Sequence, residues 1–362
     1  KGNSLADYSK PVKTYINNEI VEQSPIEWWE LSTYVMKKAI LHLGKKKSDL
    51  KYITVTTSAS CLVMLDKNKK SINNSILVSD VRAVKESIEL SKLREFKKLK
   101  KDIGFKSSPD LMIPKIMWLK NNSPSIYNKT AHYLNISDYL VYLLTGELIT
   151  DTNNATKFYY NNDQYPEDLL NSLNINSNSF PSVIKQGTVI GNVIPKVADK
   201  LGLPRSCKVI MSTYDALAAV AGNGAFKIGD AVDVSGTVTS VRLVSDKKIT
   251  DPYERIYSTK NFNDNLWLHG GSNNLSGGII EWTRQLFYDN NSLAYSEIQK
   301  MIDSTSVCPG GLLFLPYLLG DRTPFWNAEC RGVFFGLNRL HGRKDLIKAI
   351  AEGIGFSINM IF

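Results

Sequence analysis

The sequence predicts a mixed α/β chain organised as two domains, and three observations carry that expectation. Its 362 residues exceed what one hydrophobic core usually fills, while 43% hydrophobic and 22% charged residues match ordinary globular packing. A strand-to-helix unit follows at 208–221. There the apolar run Lys208–Ser212 reads as a strand, Asp215 stands at the junction as a helix N-cap, and Ala216–Ala221 is an Ala-rich helix closed by Gly222 and Gly224. Beyond it, Ala231–Val241 reads as two β-rich runs meeting at Ser235-Gly236-Thr237, a hairpin turn.

Taken in order, residues 1–225 form a first domain, a strand-rich start followed by helices. Glu27-Trp28-Trp29 opens an amphipathic helix, Val63–Asp66 ends a strand that enters a turn, and Ile76–Arg82 closes another strand on a polar pair. The Lys/Glu-rich segment Val84–Asp102 and the span Pro114–Leu144 have helical spacing, whereas Asn-rich Tyr159–Asn178 reads as an exposed, irregular connection. A second domain, 226–362, starts with the hairpin, continues through Trp267–Gly278 and enters a helix at Ile279–Leu286.

Composition narrows the function classes. No apolar run approaches the roughly 18 residues needed to cross a bilayer, and no export signal is read, so the expectation is a soluble protein without a membrane partner. Cys61, Cys207, Cys308 and Cys330 show no paired spacing, which fits a reducing, cytoplasmic setting. His42, His132, His269 and His341 are scattered, and no metal-binding residue is assigned. The net charge of +9 gathers at Lys45–Lys47 and Lys97–Lys101 without interleaved aromatics. Solvated helix faces explain it better than nucleic acid, and the excess favours the approach of anionic ligands.

A carboxylate at a strand-to-helix junction and a small-residue turn about twenty residues later suit a site that moves phosphate. Each also has an ordinary reading, as a simple helix cap and a simple hairpin turn, and only the combination carries weight. Ser272–Trp282 adds Gly277 and Gly278 at a helix start, where amides and dipole favour an anion; a loop packed closely on a neighbour is the alternative. Glu281 stands four residues after Gly277, on the same helix face.

Further blocks come in a telling order: Pro114-Lys115-Ile-Met-Trp118, Ser137-Asp138-Tyr139 through Thr145-Gly146-Glu147, Thr150-Asp151 to Ala155, Leu315–Pro324, Arg331–Leu337 and Asp345–Gly353. Together they resemble the FGGY carbohydrate kinases, most closely the xylulokinase branch, across essentially the whole chain. The resemblance implies two ribonuclease-H-like, actin/hexokinase-type α/β domains with a ligand cleft between them, the second incomplete in this chain. It implies ATP-dependent phosphorylation of a primary hydroxyl of a ketopentose such as xylulose, or of a similar polyol, with ATP and Mg2+ as cofactors. Another substrate of the family (ribulose, an aldonate or an erythritol-like polyol) or a non-catalytic actin-fold binding protein are the alternatives. A homodimer is an assembly such an enzyme can adopt.

Residue by residue, the resemblance makes Asp215 the general base, Gly236 and Thr237 the second phosphate loop, and Gly277 and Glu281 nucleotide contacts. A helix N-terminus makes a carboxylate a weak base, but a loose transition state asks mainly for orientation and late proton removal. Val238 stands where Ser is common, and Ala59-Ser60 where the family carries a polar or Met-His pair, which implies a smaller, less directive sugar pocket. Ser60, Asp80, Arg82 and Asp138 are the remaining sugar-binding candidates, with a structural ion pair and a helix cap as alternatives for the last three. At Ala351 a larger apolar residue is usual. The family's first phosphate loop is expected ahead of Lys1, and the remainder of its adenosine clamp beyond Phe362.

Overall fold

The computed structural model describes residues 2–103, 106–262, 265–288, 294–327 and 329–362. The chain divides into two compact units, Lys1–Ala218 and Ala219–Phe362, with the division falling inside the helix Asp215–Gly222.

The first unit is built from short sheets covered by helices. Tyr52–Thr54 pairs in parallel with Lys208–Ile210, which pairs antiparallel with Val189–Asn192. Placing Lys208–Ile210 beside Tyr52–Thr54 sets the segment before Asp215 against Thr56–Ser60, although they lie far apart in sequence. Val63–Leu65 pairs with His132–Leu134, and Ile149–Asp151 with Ser182–Ile184. The long helix Pro25–His42 has a clear local origin. Ser24 accepts the Glu27 amide, Pro25 occupies the first turn, and Glu27 and His42 sit at the ends that match the helix dipole. Trp28 fills the core beneath it with Cys61, Val63, Leu65, Leu134 and Tyr139.

Three sequence expectations change here. The span Pro114–Leu144 is not one helical stretch: the helices Met112–Asn122 and Pro124–Lys129 are followed by the strand His132–Leu134 before the helix Ile136–Thr145. Pro124 opens a new helix, and pairing with Val63–Leu65 outweighs local periodicity. The segment Val84–Asp102 breaks at Leu93, whose extended backbone separates two helices. Tyr159–Asn178 is only partly an exposed connection. It contains the helix Glu167–Ser172, and Tyr159, Leu169, Leu170 and Ile175 are buried in a core with Phe158 and Phe180. Each such side chain contributes roughly 1.5–3 kcal/mol, enough to hold an Asn-rich segment in place.

In the second unit, four antiparallel strands run in the order Ala231–Ser235, Thr239–Ser245, Trp267–Ser272, Tyr257–Lys260. Leu313–Leu315 pairs with Val333–Phe335, and the helices Gly277–Tyr288, Ala294–Ser304 and Arg343–Asn359 complete the unit. Ile279, Leu312, Phe314, Ala349 and Ile350 form its buried core. Gly353 lets the last helix lie directly on a strand, because a Cβ there would stand 2.3 Å from the Phe314 carbonyl oxygen.

Candidate active site

Asp215 is exposed and is the first residue of its helix. The Tyr214 carbonyl accepts from the Leu217 and Ala218 amides, so Tyr214 takes the capping place and Asp215 sits one position further in than expected. Its carboxylate has two bonded contacts among the described residues: Oδ1 accepts the Ala216 amide at 2.7 Å and Oδ2 the Ser58 hydroxyl at 3.2 Å. The Asp215 amide donates to the Thr57 carbonyl at 2.9 Å. Strand pairing thus delivers Thr57-Ser58 to the carboxylate, and each oxygen keeps lone pairs toward solvent.

The other candidates of this unit behave differently. Asp80 is fully buried: Oδ2 accepts the Val21 amide at 2.6 Å and Arg82 Nη2 at 2.7 Å, while Oδ1 accepts the Arg82 amide and Nε. Arg82 also bonds Glu22 at 2.7 Å and lies 4.8 Å from the Trp118 ring centre. Asp138 is buried in the first turn of Ile136–Thr145, its Oδ2 accepting the Asn135 amide at 3.0 Å. Burial, and then the neighbouring Asp151, push its carboxyl up to about 7. Ser60 is buried and holds a left-handed backbone, with φ of 60°. Beneath these groups lies Lys115, fully buried, donating to the Ser60 carbonyl at 2.6 Å and the Leu77 carbonyl at 2.8 Å. Its burial pulls the ammonium down to about 8.

In the second unit, the structure brings together the hairpin and the glycine pair. Ser235–Val238 is exposed at the turn, and the amides of Thr237 and Val238 have no acceptor among the described residues. The helix start packs beneath. Gly277 donates to the Gly236 carbonyl at 2.9 Å and Gly278 to the Thr237 carbonyl at 3.2 Å. A Cβ at Gly277 would come within 2.4 Å of the Gly236 oxygen. The expected free amides at Gly277 and Gly278 are therefore already used to brace the turn, and close packing explains these glycines. Asn273 was not singled out from sequence; it accepts the Thr239 amide at 2.9 Å and anchors the same turn from below. Glu281 lies on the helix face of Gly277, but Arg284, Gln285 and Tyr295 all donate to its carboxylate. The Arg284 guanidinium leads in holding it down to about 2.

Among the described residues no group of three or more His, Cys, Asp or Glu side chains is placed to hold a metal ion, and no helix is long and apolar enough to cross a membrane. Ser58 and Lys115 escaped the sequence-based site list. Lys115 lay in the Lys-x-x-Trp pattern, but its burial is visible only in three dimensions.

The fold is that of two-domain sugar kinases. It superposes on the ligand-bound xylulose kinase of Lactobacillus acidophilus with a TM-score of 0.88 at 24% identity, covering 98% of this chain and 72% of that one. The family models for the N-terminal and C-terminal domains match residues 1–222 and 232–362, and the chain belongs to the FGGY family of carbohydrate kinases. Among curated proteins it is 25% identical over 346 residues to the xylulose kinase of Bacillus subtilis, covering 93% of this chain and 68% of that protein. It is 24% identical over 352 residues to the gluconokinase of Bacillus subtilis, covering 94% and 68%. The enzyme class expected from the sequence is thereby shown, as a carbohydrate kinase.

Proposed function

We propose that this carbohydrate kinase transfers the γ-phosphoryl group of MgATP to a primary hydroxyl of a ketopentose such as xylulose, with Asp215 as general base. The observation that carries this reading is the Asp215 carboxylate, exposed at a helix start and only lightly bonded. The alcohol oxygen attacks the γ-phosphorus, the bond to the bridging oxygen breaks, ADP leaves, and the alcohol proton passes to Asp215. The Ser58 hydroxyl and the Ala216 amide orient that carboxylate. Magnesium enters as part of the nucleotide substrate, held chiefly by phosphate oxygens and water.

Gly236 and Thr237 cradle phosphate, since the amides of Thr237 and Val238 are open to an acceptor and the turn is braced from below by Gly277. Glu281, bonded to Arg284, shapes the nucleotide wall through that pair rather than as a bare carboxylate. Ser60 lines the sugar pocket, while Asp80, Arg82 and Asp138, saturated by internal partners, hold its walls. Xylulose kinases among the relatives support a ketose, and a gluconokinase among them makes an aldonate the rival.

A carbohydrate panel scored by ADP release separates the two. Preferential turnover of a ketopentose is expected, and preference for a carboxylated sugar would remove the ketose assignment.

A further inference from the structure

We propose that Lys115 is a positioning residue for phosphoryl transfer, holding the segment Thr57–Ser60 in register with Asp215 although it touches neither the carboxylate nor substrate. The inference rests on the Asp215 reading. Lys115 is fully buried in the helix Met112–Asn122, in a core otherwise formed by residues such as Met112, Ile113 and Ile116. A charge there is costly unless it has bonded partners. Its partners among the described residues are two main-chain carbonyls, Ser60 at 2.6 Å and Leu77 at 2.8 Å, rather than a carboxylate.

Those carbonyls belong to the two segments that lead to the candidate residues. Ser60 ends Thr57-Ser58-Ala59-Ser60, and Leu77 precedes Asp80 and Arg82. Ser60 is held at φ of 60°, a backbone that a side-chain-bearing residue adopts only at a cost of about 1–2 kcal/mol, so something must hold it there. The ammonium is the group bonded to its carbonyl. Two residues upstream, the Ser58 hydroxyl meets Asp215 Oδ2 at 3.2 Å, and the Thr57 carbonyl receives the Asp215 amide at 2.9 Å. The route is therefore continuous: ammonium, Ser60 carbonyl, the short segment, then both ends of Asp215. A shift of roughly 1 Å in such a segment is enough to cost on the order of 100-fold in rate.

The test compares Lys115→Met, Ser58→Ala, their double variant and Asp215→Asn in the full chain, reading kcat, KM for sugar, KM for ATP and melting temperature. Lys115→Met keeps the length and removes the donors. It is expected to lower kcat per folded molecule by roughly 30- to 100-fold with KM for ATP unchanged. Ser58→Ala, at an exposed site, should leave the melting temperature unchanged and lower kcat by roughly 5- to 20-fold. The double variant should lose less than the product of the two, because both act through one segment. If Lys115→Met only lowers the melting temperature, or if Ser58→Ala turns over like the parent while Asp215→Asn is inactive, the positioning role falls and the base assignment stands. If Asp215→Asn itself turns over like the parent, the base assignment falls, and this inference with it.

Discussion

Asp80 and Asp215 are both carboxylates of the first unit, both singled out from sequence, and they end in opposite circumstances. Asp80 is fully buried and takes donors from Val21 and Arg82 on both oxygens. Asp215 is exposed, with the Ala216 amide on one oxygen and the Ser58 hydroxyl on the other. A carboxylate whose lone pairs are filled by the protein gives shape; one that keeps them can receive a proton from a substrate. In the proposed mechanism the first is scaffolding and the second carries the chemistry, and the contrast can be broken at several points.

The largest expected effect lies on the scaffolding side. Arg82→Met strands Asp80 and Glu22 without their cation and should cost about 3–5 kcal/mol in unfolding free energy, read by denaturant titration. Kinetics sharpen the point: KM for sugar changed far more than stability would mean that Arg82 binds substrate directly. Gly277→Ala comes next. A Cβ at 2.4 Å from the Gly236 oxygen displaces the turn proposed to hold phosphate, so a loss of about 1–3 kcal/mol and a raised KM for ATP are expected, with the sugar KM unmoved.

The smallest effect concerns Asp138, and its sign follows from burial. Its folded carboxyl titrates near 7, above its ordinary value of 3.8. Between those values the unfolded chain releases the proton and the folded chain keeps it, so this group makes stability fall as pH rises, with the full penalty above about 7. Asp138→Asn, which can still accept the Asn135 amide, should flatten that fall and gain on the order of 1–2 kcal/mol at pH 8. An unchanged pH profile of stability would show that Asp138 is ionised at no cost, and a lost sugar affinity would move it into the binding set.

Much of the fold was legible because local chemistry and tertiary structure agree. The junction at Asp215, the hairpin at Ser235–Thr237 and the helix beginning at Gly277 all lie where small residues, alternation and Ala-rich runs place them. The strand His132–Leu134 was hidden because its partner, Val63–Leu65, is distant in sequence and its own three residues carry no period. The full set of partners around Asp80 and Arg82 was equally hidden. Spacing pairs Asp80 with Arg82, but the closing contact comes from Glu22, some sixty residues earlier. The bonding of the Gly277 and Gly278 amides was hidden for a similar reason, since the hairpin carbonyls that take them come from another strand pair.

Whether the lightly bonded Asp215 carboxylate carries the chemistry is decided by kcat of Asp215→Asn with MgATP and a ketopentose, taken beside nucleotide affinity and melting temperature. A loss of at least about 100-fold in kcat is expected, with the other two quantities unchanged. Turnover within a few-fold of the parent would contradict it and remove Asp215 from the mechanism.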